Sequence, residues 1–401
     1  MGDPIVKGWC PGALKPMQSG DGLLVRIRPF KSRLNAEQLA GIGKLAREYG
    51  NGLVDFSRRS NLQLRGVLPE NHAPLMARLQ SLNLIDDNVF VESRRNMVVT
   101  PFWTDGDDSD VIAARLEKVL LDENLHLIGL PGKFGFAVDC GPSPVLSGMP
   151  ADIRIERAAQ GGLIVRPDGS DFGISVQLET AVDMAVSLAR WFSDLKEIKA
   201  GRGRMRQYVH LLQENAEFKL SEARAEATVT PAVGWAQTGF LAGLELGQLT
   251  AAGLIALSEK VDAVRLTPWR MLCLEHYSAD AGSLDAIDGM ITNPDSPFMR
   301  ITACTGLPAC PQGWLDTRKL ARDLSTSLPL GDSLYISGCT KKCAGQSEAF
   351  KHAMIAAQSG VTVHNKIRNA PSSGEHFSHE EFKEKTTMHI KGDTFFFKES
   401  Q

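Results

Sequence analysis

"QLTAAGLIALSEKVDAVRLTPWRMLCLEH", Gln248–His276, decides how this 401-residue chain is built, because its outline occurs twice. Laid over Gln38–Gly66 without a gap, it puts Gln38 on Gln248, Leu39 on Leu249, Val54 on Val264, Leu62 on Leu272 and Leu64 on Leu274. Few residues are identical. Both copies nevertheless run helix, turn, strand, which is the mark of an internal duplication. In the first copy Asn35 is an N-cap ahead of "AEQLAGIGKLAREY", and Leu39, Ile42 and Leu45 share one helical face. After the turn signal "GNG", Leu62 and Leu64 alternate with Asn61, Gln63 and Arg65, the pattern of a strand with one buried face. The same parity places Arg59 on the polar face if the strand reaches that far.

The flanking segments correspond as well. "SRRNMVVTP" follows the first copy and "RITACTGLPAC" the second, and "LPGKFGFAVDCG" answers "SLYISGCTKKCAG". Between the halves "TAVDMAVSLARWFSDL" reads as a helix and "KAGRGRMRQ" as a basic loop. The expected organisation is a pseudo-two-fold α+β protein. It has a first half-domain over 8–80, an α+β domain over 81–214 and a polar connector over 215–232. A second half-domain follows over 233–290, then a second α+β domain over 291–369 and a polar tail over 370–401. "QSEAFKHAMIAAQSG" reads as a helix, and the tail is polar until "TFFF". A ligand site is expected where the halves meet.

Composition narrows the classes. Hydrophobic residues make up 43% and charged residues 23%, values of a soluble globular protein. A net charge of −3 gives no global basic field, which argues against a nucleic-acid partner. No stretch has the length and apolarity of a membrane span or a signal peptide, so a cytoplasmic protein is expected. In that compartment the seven cysteines stay reduced, and a cysteine cluster is more at home on metal than in disulfides.

Four of the seven form two tight pairs: Cys304 and Cys310, then Cys339 and Cys343. The spacing is C-x5-C, a gap of 28 residues, and C-x3-C. Thiolates hold both zinc and iron–sulfur clusters. Structural zinc sites favour a shorter first spacing, whereas Gly, Pro, Ala and Thr around these cysteines suit backbone wrapped about a bulky cluster with free N–H groups. Cys10, Cys140 and Cys273 are isolated and read as inert buried thiols.

This cysteine pattern, behind a duplicated half-domain, resembles the nitrite and sulfite reductase superfamily. The resemblance implies an α+β fold of duplicated ferredoxin-like half-domains plus two [4Fe-4S]-type domain units. It also implies a [4Fe-4S] cluster on Cys304, Cys310, Cys339 and Cys343. "FSRRSNLQLRG", "SRRNMV" and "LPGKFGFAV" look like three of its basic motifs, with Arg59, Arg95 and Lys133 in the places that bind tetrapyrrole carboxylates. Arginine forks suit carboxylates, and a tetrapyrrole bearing many of them is a polyanion. Arg58, Arg65 and Arg94 are neighbours of lower rank. Gly132 and Gly135 stand where the reductases are basic, which removes two charges from one wall.

The opening "KGWCPGALKPMQSGDGLLVRIRP" resembles that of the precorrin-3B synthases, a family within this frame. That implies O2-dependent hydroxylation of a tetrapyrrole substrate, precorrin-3A, at C20 with closure of a γ-lactone, in aerobic cobalamin biosynthesis. It further implies a mononuclear non-haem iron to activate O2. Such irons are commonly held by two His and a carboxylate. No such triad is legible, and Glu275 and His276 on the second repeat's strand are the candidates. "AGIGK" at 40–44 lacks the third glycine of a dinucleotide site. Electrons would therefore arrive from a donor protein or an NADH-linked reductase. The alternatives are a sirohaem-dependent nitrite or sulfite reductase, and a non-catalytic iron–sulfur carrier or zinc-stabilised module.

Overall fold

The computed structural model describes residues 10–398 except 123–126, 128–129, 197, 199–201, 216, 279–282, 346, 366–372, 385–386 and 392–393. Trp9 of the opening motif lies outside the described residues. The first half-domain begins with hairpin β1 (Met17–Ser19) and β2 (Gly22–Ile27), then β3 (Arg33–Asn35) and α1 (Ala36–Tyr49). Hairpin β4 (Leu53–Phe56) and β5 (Leu62–Val67) and helix α2 (His72–Ser81) complete it. Asn35 caps α1 as its sequence implies, in a reciprocal box with Gln38. Leu39, Ile42 and Leu45 are buried.

The first α/β unit follows. Helix α3 (Val89–Arg94) leads into β6 (Met97–Val99), α4 (Asp108–Leu121) and β7 (Phe136–Asp139). Next come β8 (Ile153–Arg157), β9 (Leu163–Pro167), β10 (Phe172–Val176), α5 (Ala181–Ser193), α6 (Met205–Tyr208) and β11 (Glu222–Ala223). Strands β6, β7 and β8 are parallel, and β9, β10 and β11 continue the sheet antiparallel. Strand β11 falls in what the sequence presents as a connector, so this unit extends past residue 214.

The second half-domain repeats the first: β12 (Gly234–Ala236), β13 (Gly239–Leu244), β14 (Gln248–Thr250), α7 (Ala251–Ser258), β15 (Ala263–Leu266) and β16 (Met271–Glu275), with β17 (Met290–Ile291) added on β13. The halves exchange strands. β14 pairs with β4, and β3 pairs with β15, giving sheets β1-β2-β5-β4-β14 and β12-β13-β16-β15-β3. Between them α1 and α7 pack in one core with Leu62, Leu64, Leu272 and Leu274. From the start of β3 to β4 is twenty residues and from β14 to β15 fifteen, so α7 has 8 residues against 14 in α1. The gapless superposition therefore holds for the strands and fails at the helix start.

The turns that close the two hairpins are equivalent residue by residue. Ser57 N–H donates to Asn61 O (2.8 Å) and Thr267 N–H to Met271 O (3.3 Å). Ser57 Oγ and Thr267 Oγ1 accept from the N–H of Arg59 and Trp269, both at 3.3 Å. Ser60 and Arg270 both have positive φ, 52° and 59°. Arg59 thus sits in a turn, because β5 starts only at Leu62.

The second α/β unit repeats the first: α8 (Pro297–Arg300), β18 (Ile301–Ala303), α9 (Thr317–Ser325), β19 (Leu334–Ser337), β20 (His352–Ala357), β21 (Gly360–Asn365), β22 (Ser373–Phe377) and α10 (His379–Glu384). A separate hairpin, β23 (Thr387–Lys391) and β24 (Thr394–Lys398), ends it. Strands β18, β19 and β20 are parallel, and β21 and β22 antiparallel, as in the first unit. The segment that reads as a helix in sequence, 346–360, holds a single 3-10 turn at Ser347–Ala349, then strand β20 and the turn into β21. Its alanines favour a helix locally, but the slot beside β19 imposes extended backbone. The unit runs to Glu384, beyond the expected boundary at 369. The topology is duplicated, but the cysteine set is not. The first unit holds only Cys140, a buried thiol whose burial pushes its pKa well up. Among the described residues no helix is long and apolar enough to cross a membrane.

Candidate functional site

The cysteine loops leave the carboxyl ends of neighbouring parallel strands, where open α/β sheets place their ligands. Cys304 follows β18, and its N–H continues the ladder to Ile336 O at 3.1 Å. Cys339 follows β19 and is buried. Within the first loop Cys310 N–H donates to Gly306 O (2.7 Å) and Leu307 N–H to Leu315 O (2.7 Å). Gly306 has φ +62, and a Cβ there would lie 2.4 Å from Thr317 Oγ1, so only glycine fits. Gly338 N–H donates to the Cys304 sulfur at 3.2 Å. Burial pushes up Cys339 against the opposing Lys341 N–H, and the Cys304 and Cys310 thiols add to the rise. Cys343 shifts the same way and feels all three others. The four thiols thus share one neighbourhood. Among the described residues no three Cys, His, Asp or Glu converge on a single-ion site. The loop is also pinned to the first half-domain, where Ala309 O accepts from Gly20 N–H (3.0 Å), Ser19 Oγ (2.7 Å) and Arg65 (3.3 Å).

Cys304 and Cys343 border a cavity of about 1240 Å³ where both half-domains and both α/β units meet. Seven arginines line it: Arg26, Arg58, Arg154, Arg204, Arg206, Arg270 and Arg318. Strand parity explains Arg26. Val25 and Ile27 enter the core, and the opposite face of the sheet carries the register row Arg26, Gln63, Asp55 and Gln248. Four of the arginines are held by buried carboxylates. Asp55 takes Arg318 (2.8 Å), Asp152 takes Arg204 (2.8 Å), and Asp168 takes Arg206 (2.9 Å) and Arg154 (3.5 Å).

The other three differ. Among the described residues no carboxylate pairs with Arg26, Arg58 or Arg270. Burial lowers the Arg26 pKa despite a hydrogen bond to Cys10, and burial followed by Arg58 pushes Arg270 down to about 10. Both residues keep some accessible surface. Unpaired buried cations are costly unless a bound anion completes them. The cavity therefore presents cations without a carboxylate partner beside an apolar wall of Val233, Trp269, Met271 and Met299.

The residues singled out in sequence divide. Arg59 donates to the Lys133 carbonyl (3.0 Å), so the motif contact is through backbone while the lysine side chain is exposed. Arg59 lies beside Arg26, and burial lowers its pKa, but neither it nor Lys133 is among the residues that line the cavity. Arg95 is a correction. Its guanidinium forks onto Asp86 (2.7 and 3.0 Å), donates to Arg28 O (2.7 Å) and lies over the Phe30 ring, away from the cavity lining. Glu275 and His276 are corrections too. Burial would raise Glu275, but Arg33 and Arg265 outweigh it and hold it low, while exposed His276 pairs with Asp262 (2.9 Å). Neither borders the cavity, so these residues do not fit a mononuclear iron there. Gly135 is a packing residue rather than a missing charge. A Cβ would meet Asn96 Nδ2 at 2.7 Å and Asn96 O at 2.9 Å. Arg26, Arg154, Arg270 and Arg318 stand in none of the three basic motifs. Arg26 was recoverable from the alternation in "LLVRIR", and Arg204 and Arg206 stand in the basic loop already noticed.

Arg95 supports the fold instead. Arg95→Ala leaves Asp86 and Glu117 buried beside each other without their cation, and a loss of about 3–5 kcal/mol in a denaturant titration is expected. Glu117 adds a pH dependence. Burial pushes it up to about 7, despite the Lys31 N–H and Arg95 nearby, while Asp86 adds to the rise. A carboxyl with a raised folded pKa binds its proton more tightly folded than unfolded. Its contribution to stability is present at low pH and is lost as pH rises from about 4.5 to about 7, on the order of 3 kcal/mol. Stability measured across that window is expected to fall less steeply in Glu117→Gln.

Residues 15–82 match the family described as the nitrite/sulfite reductase ferredoxin-like half domain. A precorrin-3B synthase from Sinorhizobium sp is 27% identical over 401 residues, spanning 92% of this chain and 85% of that protein. A ferredoxin–nitrite reductase from Synechococcus elongatus is 24% identical over 396 residues, spanning 84% and 76%. The NirA protein of Mycobacterium tuberculosis shares the fold, with a TM-score of 0.61 at 18% identity over 90% of this chain and 78% of that one. With its mixed α+β architecture, the chain is thus similar to the nitrite and sulfite reductases and, over most of its length, to precorrin-3B synthase.

Proposed function

We propose that this chain is an oxidoreductase of the precorrin-3B synthase type, acting on a polycarboxylate tetrapyrrole in the arginine-lined cavity. The observation that carries the reading is the conjunction of that cavity with two cysteine loops at its border. Arg26, Arg58 and Arg270 take substrate carboxylates, since no protein carboxylate competes for them among the described residues. Arg154, Arg204, Arg206 and Arg318 are fixed by Asp152, Asp168 and Asp55 and orient the polyanion. The apolar wall meets the macrocycle. Cys304, Cys310, Cys339 and Cys343 fit a [4Fe-4S] cluster: four thiols on two loops, with the Gly338 N–H already directed at one sulfur. A cluster there supplies electrons one at a time. The reaction is hydroxylation of precorrin-3A at C20 with γ-lactone closure. One atom of O2 enters the substrate and the other leaves as water, with two electrons from a donor protein or NADH-linked reductase.

The test is turnover of precorrin-3A under 18O2 with a chemical or protein reductant. A product carrying one labelled oxygen is expected; an unlabelled product or none sinks the assignment. The similarity to a nitrite reductase favours a second reading, sirohaem-dependent reduction of nitrite or sulfite. A strong Soret band in the purified protein, with nitrite consumption, would establish it instead.

A further inference from the structure

The equivalence of the two hairpin turns sets Trp269 where the other half has Arg59, and only the second of these turns brings an aromatic ring to the cavity. Trp269 is 9% exposed and stacks on Phe102, with centroids 6.4 Å apart and planes 24° from parallel. Its ring is backed by Leu146, Leu241 and Met271 and so cannot swing inward without disrupting a core. Its indole Nε1 is buried and has no hydrogen-bond partner. A buried donor without an acceptor is a standing cost, and indole N–H groups in this setting ordinarily find one. Met271 and Met299, on the same wall, are adaptable apolar neighbours.

We propose that Trp269 is a specificity-determining residue of the cavity: its ring supports the face of a tetrapyrrole, and its indole N–H donates to an acceptor on the macrocycle's edge. This rests on the reading of the cavity as a tetrapyrrole site and adds how the macrocycle is oriented in it. The first-half turn brings Arg58 to the cavity, and the matching second-half turn brings Arg270 together with a rigid aromatic platform that polar anions alone do not use. A small oxyanion would gain nothing from Trp269, whereas a large ring would.

The experiment uses the full chain with its cluster and the stable octacarboxylate uroporphyrin III as probe, its binding read from porphyrin absorbance. Trp269→Phe keeps the ring against Phe102 and loses the N–H; Trp269→Leu loses both. Affinity is expected to fall about 5-fold in the first and about 30-fold in the second, with iron content unchanged. Sensitised porphyrin emission on tryptophan excitation is expected to drop more in Trp269→Phe than in Trp191→Phe, whose ring is remote from this cavity. Wild-type affinity in Trp269→Leu overturns the proposal while leaving the tetrapyrrole site standing. Failure of the wild-type protein to bind the probe overturns both.

Discussion

Cys339→Ala is expected to lose iron and sulfide together, and to lose much of its stability with them. Cys339 is the most buried of the four thiols, at 5% exposure, and it stands at the end of β19 beside the loop that starts at Cys304. A cluster across the 28-residue gap between Cys310 and Cys339 would tie β18 to β19 and, through Ala309, to the first half-domain. Metal binding to such a site is folding free energy, on the order of 10 kcal/mol for structural zinc in small domains. A larger unit with its own core should lose part of that, several kcal/mol, rather than unfold outright. The control is Cys273→Ala. That thiol is also fully buried, but it faces Thr238 in the second sheet at 3.4 Å, and its removal should cost about 1 kcal/mol and no iron. Normal iron and sulfide in Cys339→Ala would dismiss the cluster assignment, whatever happened to stability.

What the sequence disclosed follows from how each signal is encoded. Local signals read well: the Asn35 cap, the Leu39–Ile42–Leu45 face and the alternation of Leu62 and Leu64 are all present in the folded chain. The duplication was legible because the strand pattern survives in both halves. The five-residue shortening before β15 was not, since turns and helix ends tolerate deletions that strands do not. Strand exchange between the halves was invisible, because β3 and β14 are three residues each and their partners are set by tertiary packing. The helix expected over 346–360 failed for the same reason: composition spoke for a helix, and the open edge of β19 decided for a strand. Among the basic residues, motif position picked Arg95, whose charge is consumed by Asp86. Which arginine is left unpaired depends on carboxylates far away in sequence, and no local pattern carries that.

The unpaired arginines therefore give the sharper prediction about binding. Arg26→Ala and Arg270→Ala are each expected to weaken uroporphyrin III binding by roughly 1.5–3 kcal/mol, about 10- to 150-fold, the scale of a charge-assisted hydrogen bond. If they take different carboxylates, the double variant should lose close to the sum. The losses should shrink at high salt, since the contacts are ionic and partly open to solvent. The apo protein should respond differently. Removing Arg95 strands two buried acids, but removing Arg26 strands none, because no carboxylate pairs with it among the described residues. It relieves a buried cation at the loss of a hydrogen bond to Cys10, so the ligand-free variant should be about as stable as the parent. Arg270 also donates to the Ile301 carbonyl, and losing that bond should offset the relief by about 1 kcal/mol. Lower affinity with undiminished apo stability is the signature of a residue kept for a ligand. An Arg26→Ala protein that binds normally, or that melts as early as Arg95→Ala, would mean that Arg26 serves the fold and that the anion site lies elsewhere on the cavity wall.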